Sequence, residues 1–244
     1  MTKIFPVLCV VAVMGFFSDA NAAKRALVYQ GTGACEDGCH QAAYAMAIKA
    51  GLDPVYVGPA ALNAKTTAED AAKLFADAAV WIQPGGKSRI VVNTMTVQLK
   101  EALQKFVSNG GGYVGFCAGA FAATELVGTS SYAGFNFMPG KTTLYPSRRA
   151  VDIIPIQWNG TLRHIYWEGG PYLSELPVGQ VEIRATYPNG QVAAARSQFG
   201  KGRVYVTGLH PEAPQDWRDY SRLIDKDGLD DDLVMEMIDW AKAN

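Results

Sequence analysis

Gly110-Gly111-Gly112-Tyr113-Val114-Gly115-Phe116-Cys117-Ala118-Gly119-Ala120-Phe121-Ala122-Ala123-Thr124-Glu125-Leu126 is a β-rich run that ends at a cysteine and continues as a run of helix formers. The spacing predicts a strand over Gly112–Phe116, a sharp turn at Cys117 and a helix starting just after it. Upstream the same alternation recurs. Ala26–Gln30 reads as a strand, Gly38–Gly51 as a helix, Pro54–Val57 as a strand, Thr67–Ala76 as a helix, Ala79–Gln83 as a strand and Val97–Asn109 as a helix. Strands and helices alternating at this pitch predict right-handed crossovers and a parallel sheet covered on both faces, an α/β fold.

Downstream of the elbow the punctuation changes. Asn159-Gly160 separates Val151–Trp158 from Thr161–Tyr166, Asn189-Gly190 separates Val181–Tyr187 from Gln191–Ser197, and Gly200-Lys201-Gly202 precedes Arg203–Gly208. Asn-Gly suits a type I′ turn, in which both central residues have positive φ, so an antiparallel β extension is expected. Asp230–Lys242 closes the chain as a helix whose acidic start complements the helix dipole. No Pro/Ser-rich linker or internal repeat interrupts the chain, which predicts one α/β domain over 23–244.

The 244 residues carry 22 Lys+Arg against 23 Asp+Glu, a net charge of −1 without a long basic run. That balance argues against nucleic acid and anionic membranes as partners. A basic start at Lys3, an apolar run Ile4–Phe17 and the close Ala20-Asn21-Ala22 form the layout of a secretory signal peptide over 1–22. The apolar run is shorter than the about 20 residues of a spanning helix. Cleavage after Ala22, a periplasmic or secreted location and no membrane attachment thereafter are expected. Cys35, Cys39 and Cys117 would remain. Cys35 and Cys39 flank Glu36-Asp37-Gly38, and a local disulfide or two unpaired thiols suit them better than a metal site, because only His40 stands near to add a ligand.

Cys117 between Gly115 and Gly119 fits a nucleophile elbow with Cys in place of Ser. Amides at the start of the following helix favour negative charge and can hold an oxyanion, with Ala118 supplying one donor. The plain alternative is a buried small apolar side chain in a Gly-rich turn. Leu209-His210-Pro211-Glu212 follows the strand Arg203–Gly208. Proline biases His210 toward extended backbone, where residues i and i+2 face one way, so Glu212 can orient the His210 imidazole. A base held by a carboxylate and aimed at a thiol is triad logic in Cys-His-Glu form. Gln83-Pro84-Gly85-Gly86 ends another strand, and Gly86 can supply the second oxyanion donor. Gly86-Lys87-Ser88 imitates the end of a phosphate loop, but Trp81 stands where that motif needs its first Gly, which rejects a nucleotide site. His40 and His164 read as structural or solvated.

These pieces, in this order, resemble the class I glutamine amidotransferase-like superfamily, whose sheet is flavodoxin-like. Within it the chain is most similar to the amino-terminal domain of biotin–protein ligases and its free-standing relatives. The likeness rests on Leu27-Val28-Tyr29-Gln30-Gly31, on Gln83-Pro84-Gly85-Gly86, on Gly110–Gly119, on Tyr166-Trp167-Glu168-Gly169-Gly170-Pro171-Tyr172, and on Gly202-Arg203-Val204 leading to His210-Pro211-Glu212. It implies Cys117 as nucleophile, His210 as base and acid and Glu212 as orienter, acting on a small-molecule or peptide amide through a thioester. It makes Gly85, Trp167, Glu168 and Tyr172 candidate substrate contacts, and implies no cofactor or metal. Biotin ligation is not expected of the α/β unit alone. The competing expectation is a binding or regulatory module that keeps the pocket without turnover. A third is a redox-responsive thiol protein using Cys117.

Overall fold

A computed structural model describes residues 24–35, 38–127 and 132–242. The signal-peptide expectation over 1–22 and the pair Glu36-Asp37 lie outside the described residues. The first half runs β1 (Arg25–Tyr29), α1 (Cys39–Lys49), β2 (Asp53–Val57), α2 (Ala68–Phe75), β3 (Ala78–Gln83), α3 (Ser88–Thr94), α4 (Val97–Ser108), β4 (Gly112–Phe116) and α5 (Ala118–Ala123). It continues through β5 (Thr124–Val127), β6 (Tyr132–Ala133), β7 (Met138–Leu144), β8 (Val151–Trp158), β9 (Thr161–Glu168) and β10 (Pro171–Ser174). The last elements are β11 (Val181–Thr186), β12 (Val192–Phe199), β13 (Gly202–Thr207), α6 (Gln215–Tyr220) and α7 (Asp231–Ala241).

The sheet order is β2-β1-β3-β4-β13-β12-β10-β7-β5-β6, with β11, β8 and β9 joined beside β12. The first five strands in that order, β13 included, are mutually parallel, and β12 joins β13 antiparallel. Successive residues of β1 feed opposite faces. Ala26 and Val28 pack in one apolar core with Met46 of α1 and Met237 of α7, whereas Leu27 and Tyr29 pack in another with Leu99 and Leu103 of α4. That two-sided burial is why these strands read as continuous apolar runs. The fold class is therefore the expected α/β, parallel first and antiparallel later.

Asn159 and Gly160 have φ of 50° and 79° and close the β8–β9 hairpin, with Trp158 facing Thr161. The Asn189-Gly190 turn differs from expectation, because among the described residues only Gly190 of that pair has positive φ, at 83°. Pro188 fixes φ near −65° at the first central position, so the Gly190 amide donates back to the Tyr187 carbonyl at 2.9 Å in a longer loop. The helix α3 has no periodic signal. Its Ile90-Val91-Val92 run favours a strand locally, and burial of Val91 and Val92 in the second core overrides it.

Candidate active site

Cys117 stands between β4 and α5 with φ 47° and ψ −100°. Its amide donates to the Thr207 carbonyl of β13 at 2.9 Å, and its carbonyl accepts from Ala120 and Phe121 at 3.0 and 3.1 Å, which starts α5. The flanking glycines are required by contact. A Cβ on Gly115 would lie 2.7 Å from the Gly119 carbonyl group, and one on Gly119 would lie 2.3 Å from the Gln83 carbonyl oxygen. The elbow is thus pressed onto the end of β3, where Gln83 pairs with Gly115.

Because β3, β4 and β13 are adjacent and parallel, their carboxyl ends share one edge. That edge receives Gly85 and Gly86 after β3, Cys117 after β4 and His210 after β13, the usual position of sites in open α/β sheets. His210 Nδ1 lies 2.9 Å from Glu212 Oε1, and both residues are buried. The His210 amide donates to the Tyr166 carbonyl at 2.9 Å, which fixes the backbone. Burial works to lower the affinity of this imidazole for its proton. The Glu212 charge and the charge and hydrogen bond of Cys117 overcome it, so the His210 pKa stands well above its ordinary value. Cys117 and the His210–Glu212 pair therefore stand near one another at this edge of the sheet.

Gly85 fills the gap beside the imidazole, since a Cβ there would lie 2.4 Å from His210 Cε1. Gly86 has φ 138°, and a Cβ on it would lie 2.1 Å from the Gly33 carbonyl oxygen. Ala118 opens α5, where backbone N–H groups have no intrahelical acceptor. The Cys117 Sγ donates to the Glu168 carbonyl at 3.5 Å, so the start of the β9–β10 turn lies over the thiol. The Glu168 side chain is exposed, and its Oε2 accepts from the Tyr166 hydroxyl at 3.1 Å. Trp167 is buried in the first core and donates through Nε1 to the Gly170 carbonyl at 3.2 Å. Tyr172 is half-buried on β10.

Aromatic residues not singled out by sequence complete the surroundings. Tyr145 stacks on Tyr187 with centroids 3.8 Å apart. Tyr187 is buried, donates to the Pro171 carbonyl at 2.8 Å, and is raised in pKa by burial and next by the Cys117 charge, which marks it as a neighbour of the thiol. Trp217 and Tyr166 meet the His210 ring edge-on. Aromatics spread over four elements carry no local pattern that would have found them.

Cys35 and Cys39 form a disulfide, which resolves the two alternatives left by sequence, while Cys117 is a free, buried thiol. His164 engages Asp227, at 3.5 Å from its Nδ1, and His40 packs edge-on against Tyr56. Among the described residues no group of three His, Cys, Asp or Glu is arranged to hold a metal. A shallow hollow of about 350 Å³ between Glu182, Arg196, Ser197 and Trp240 includes none of Cys117, His210 and Glu212.

Residues 24–131 match the family model described as "Biotin-protein ligase, N terminal". A biotin–protein ligase of Schizosaccharomyces pombe is 26% identical over 163 residues, which cover 56% of this chain and 26% of that protein. The chain thus spans about a quarter of the length of this curated relative. A solved glutamine amidotransferase superposes with a TM-score of 0.60 at 16% identity, covering 87% of this chain and 99% of that one. PurLQS from Thermotoga maritima gives 0.58 at 15% identity, covering 89% and 97%. At such identities the likeness to these structures is one of fold. Over residues 24–131 the chain is thus similar to the biotin–protein ligase N-terminal family, and it shares its fold with these solved structures.

Proposed function

We propose that the protein is a cysteine-dependent hydrolase or amidotransferase-like enzyme acting on a small-molecule or peptide amide. The observation that carries the reading is the placement of Cys117, on its strained turn, at the same sheet edge as a His210 held 2.9 Å from Glu212. The Cys117 proton passes to His210, whose raised affinity favours the transfer, and the sulfur attacks the carbonyl carbon. The resulting oxyanion is held by the Gly86 and Ala118 amides. Collapse breaks the C–N bond, and His210 gives its proton to the departing nitrogen. Water then cleaves the thioester, with His210 accepting one proton and returning it to the sulfur. Glu212 keeps the ring oriented throughout. No step calls on a cofactor, and biotin transfer does not form part of this reading. Glu168, Tyr172 and the wall built on Trp167 and Gly85 border the proposed substrate position. The leader-like residues 1–22 support export to a periplasmic or extracellular space, away from nucleic acid and without membrane attachment.

Iodoacetamide labelling followed by mass spectrometry tests the activated thiol. Cys117 should label faster than a model thiol at pH 6–7, and His210→Ala should remove the advantage. Labelling at the model-thiol rate in the unmodified chain overturns the reading. Ammonia release from a panel of carboxamides, abolished by Cys117→Ala, tests turnover. One feature favours a second reading, a binding module without turnover. Cys117, His210 and Glu212 are only 3%, 3% and 1% exposed, with the Glu168 carbonyl over the sulfur. Amides that raise the melting temperature and are never consumed would select it.

A further inference from the structure

The Cys35–Cys39 disulfide lies against the same site, although nothing in the proposed chemistry uses it. Cys39 begins α1, and its amide donates to Cys35 Sγ at 3.0 Å. The Cys35 amide donates to the Gly85 carbonyl at 3.2 Å, the Lys87 amide donates to the Gly33 carbonyl at 2.7 Å, and Ala34 bridges Gly86. The segment carrying Cys35 is therefore laced to both glycines of the proposed oxyanion loop. A Cβ on Gly85 would lie 3.2 Å from Cys39 Sγ as well as 2.4 Å from His210 Cε1, so this glycine is all that separates the disulfide sulfur from the imidazole. Trp217 closes the other side, reaching both Gly38 and the His210 ring.

We infer that the Cys35–Cys39 disulfide is a positioning element of the Cys117 site, holding the Gly85-Gly86 amides and the His210 ring in register. The inference rests on the reading of Cys117 and His210 given above. With the bond open, residues 31–35 lose their disulfide tie to the start of α1 while Gly85 has no side chain to hold the imidazole. The ring then moves away from Glu212 and the loop amides lose their fixed spacing. A site assembled in this way is complete only where disulfides persist, which fits the proposed export.

The test uses the full chain with histidine labelled at ¹³Cε1, an atom that in His210 faces Gly85. Its three histidines are His40, His164 and His210. Resonances are followed against pH in the oxidised protein, after dithiothreitol has reduced the disulfide to two thiols and itself closed to a cyclic disulfide, and in the Cys35→Ser/Cys39→Ser variant. The His210 midpoint should fall by one unit or more, a ten-fold loss of proton affinity, while the His164 resonance is not displaced by opening the bond. An unchanged His210 midpoint in both opened forms overturns the inference. So does a collapse of all three histidines to one unfolded titration, which would make the bond a support of the whole fold. Iodoacetamide labelling of Cys117 in the oxidised protein is read separately. A slow thiol there defeats the hydrolase reading, whereas a fast thiol with an unmoved His210 defeats only the role of the disulfide.

Discussion

Cys117 holds a backbone conformation that L side chains seldom adopt, and such conformations cost on the order of 1–3 kcal/mol each. The surroundings enforce it, through the Thr207 carbonyl on one side and the α5 amides on the other. The strain can be isolated by comparing two variants that both lack the sulfur. Cys117→Gly is expected to be more stable than Cys117→Ala by on the order of 1 kcal/mol in urea denaturation, the relief of strain exceeding the about 0.4–1 kcal/mol of extra unfolded-chain entropy. Equal stability would mean that the turn is not strained.

His210 adds a pH dependence with a definite sign. Its folded pKa is raised, so the pairing with Glu212 and Cys117 contributes stability that is fully present below its unfolded value of about 6.5 and is lost as pH rises through the raised folded value. The gap in melting temperature between the unmodified chain and His210→Gln should accordingly be widest at pH 5–6 and narrow as the solution becomes alkaline. A gap that widens with pH would show that the imidazole is held neutral.

At the scale of elements, local chemistry decides the ends and tertiary burial decides the rest. Helix α2 has no fully buried residue, so its start depends on a capping box in which the Thr67 hydroxyl accepts from the Asp70 amide and the Asp70 carboxylate accepts from the Thr67 amide. Thr67→Ala should cost about 0.5–2 kcal/mol and raise amide exchange over 67–71, with little effect beyond α2. The opposite case is α3, which exists because Val91 and Val92 find the second core. The strands β5, β6, β7 and β10 likewise have no clear punctuation, since their alternation is short and their partners are remote in sequence. The β8–β9 hairpin is the counterexample, because a two-residue turn with both φ values positive fixes its register locally.

Across the whole molecule the site is braced from behind by charge. Arg218 is fully buried, donates through Nε to Asp225 at 2.7 Å and through Nη2 to Asp230 at 3.2 Å, and also bonds the carbonyl of Ala213, the residue after Glu212. Asp230 is shared with Arg163 of β9 at 3.0 Å and stands at the residue before α7 without a side-chain bond to the helix amides. Removing Arg218 leaves the buried Asp225 carboxylate without its guanidinium and Asp230 with Arg163 alone, so Arg218→Ala should lose about 3–5 kcal/mol in urea denaturation. A loss below about 1 kcal/mol would reduce the network to a surface ornament of the kind worth little.

What the sequence by itself determined is local or periodic in origin: the alternation of strand and helix, the elbow at Cys117 and the two-residue turn at Asn159-Gly160. Glu212 does stand beside His210, but across a turn in which the Ala213 amide donates to the His210 carbonyl at 3.1 Å, and not through the extended two-residue alternation expected of the sequence. The alternation, the elbow and the Asn159-Gly160 turn follow from backbone sterics or from a repeat of two or 3.6 residues, and none needs a remote partner. Only the tertiary structure decided that β13 lies next to β4, so that residues 117 and 210 follow neighbouring strand ends, and that Cys35–Cys39 closes against Gly85 and the imidazole. Strand order and loop packing are chosen by the burial of two apolar faces and by long-range pairing, free energies that belong to the assembled sheet and to no single stretch of chain.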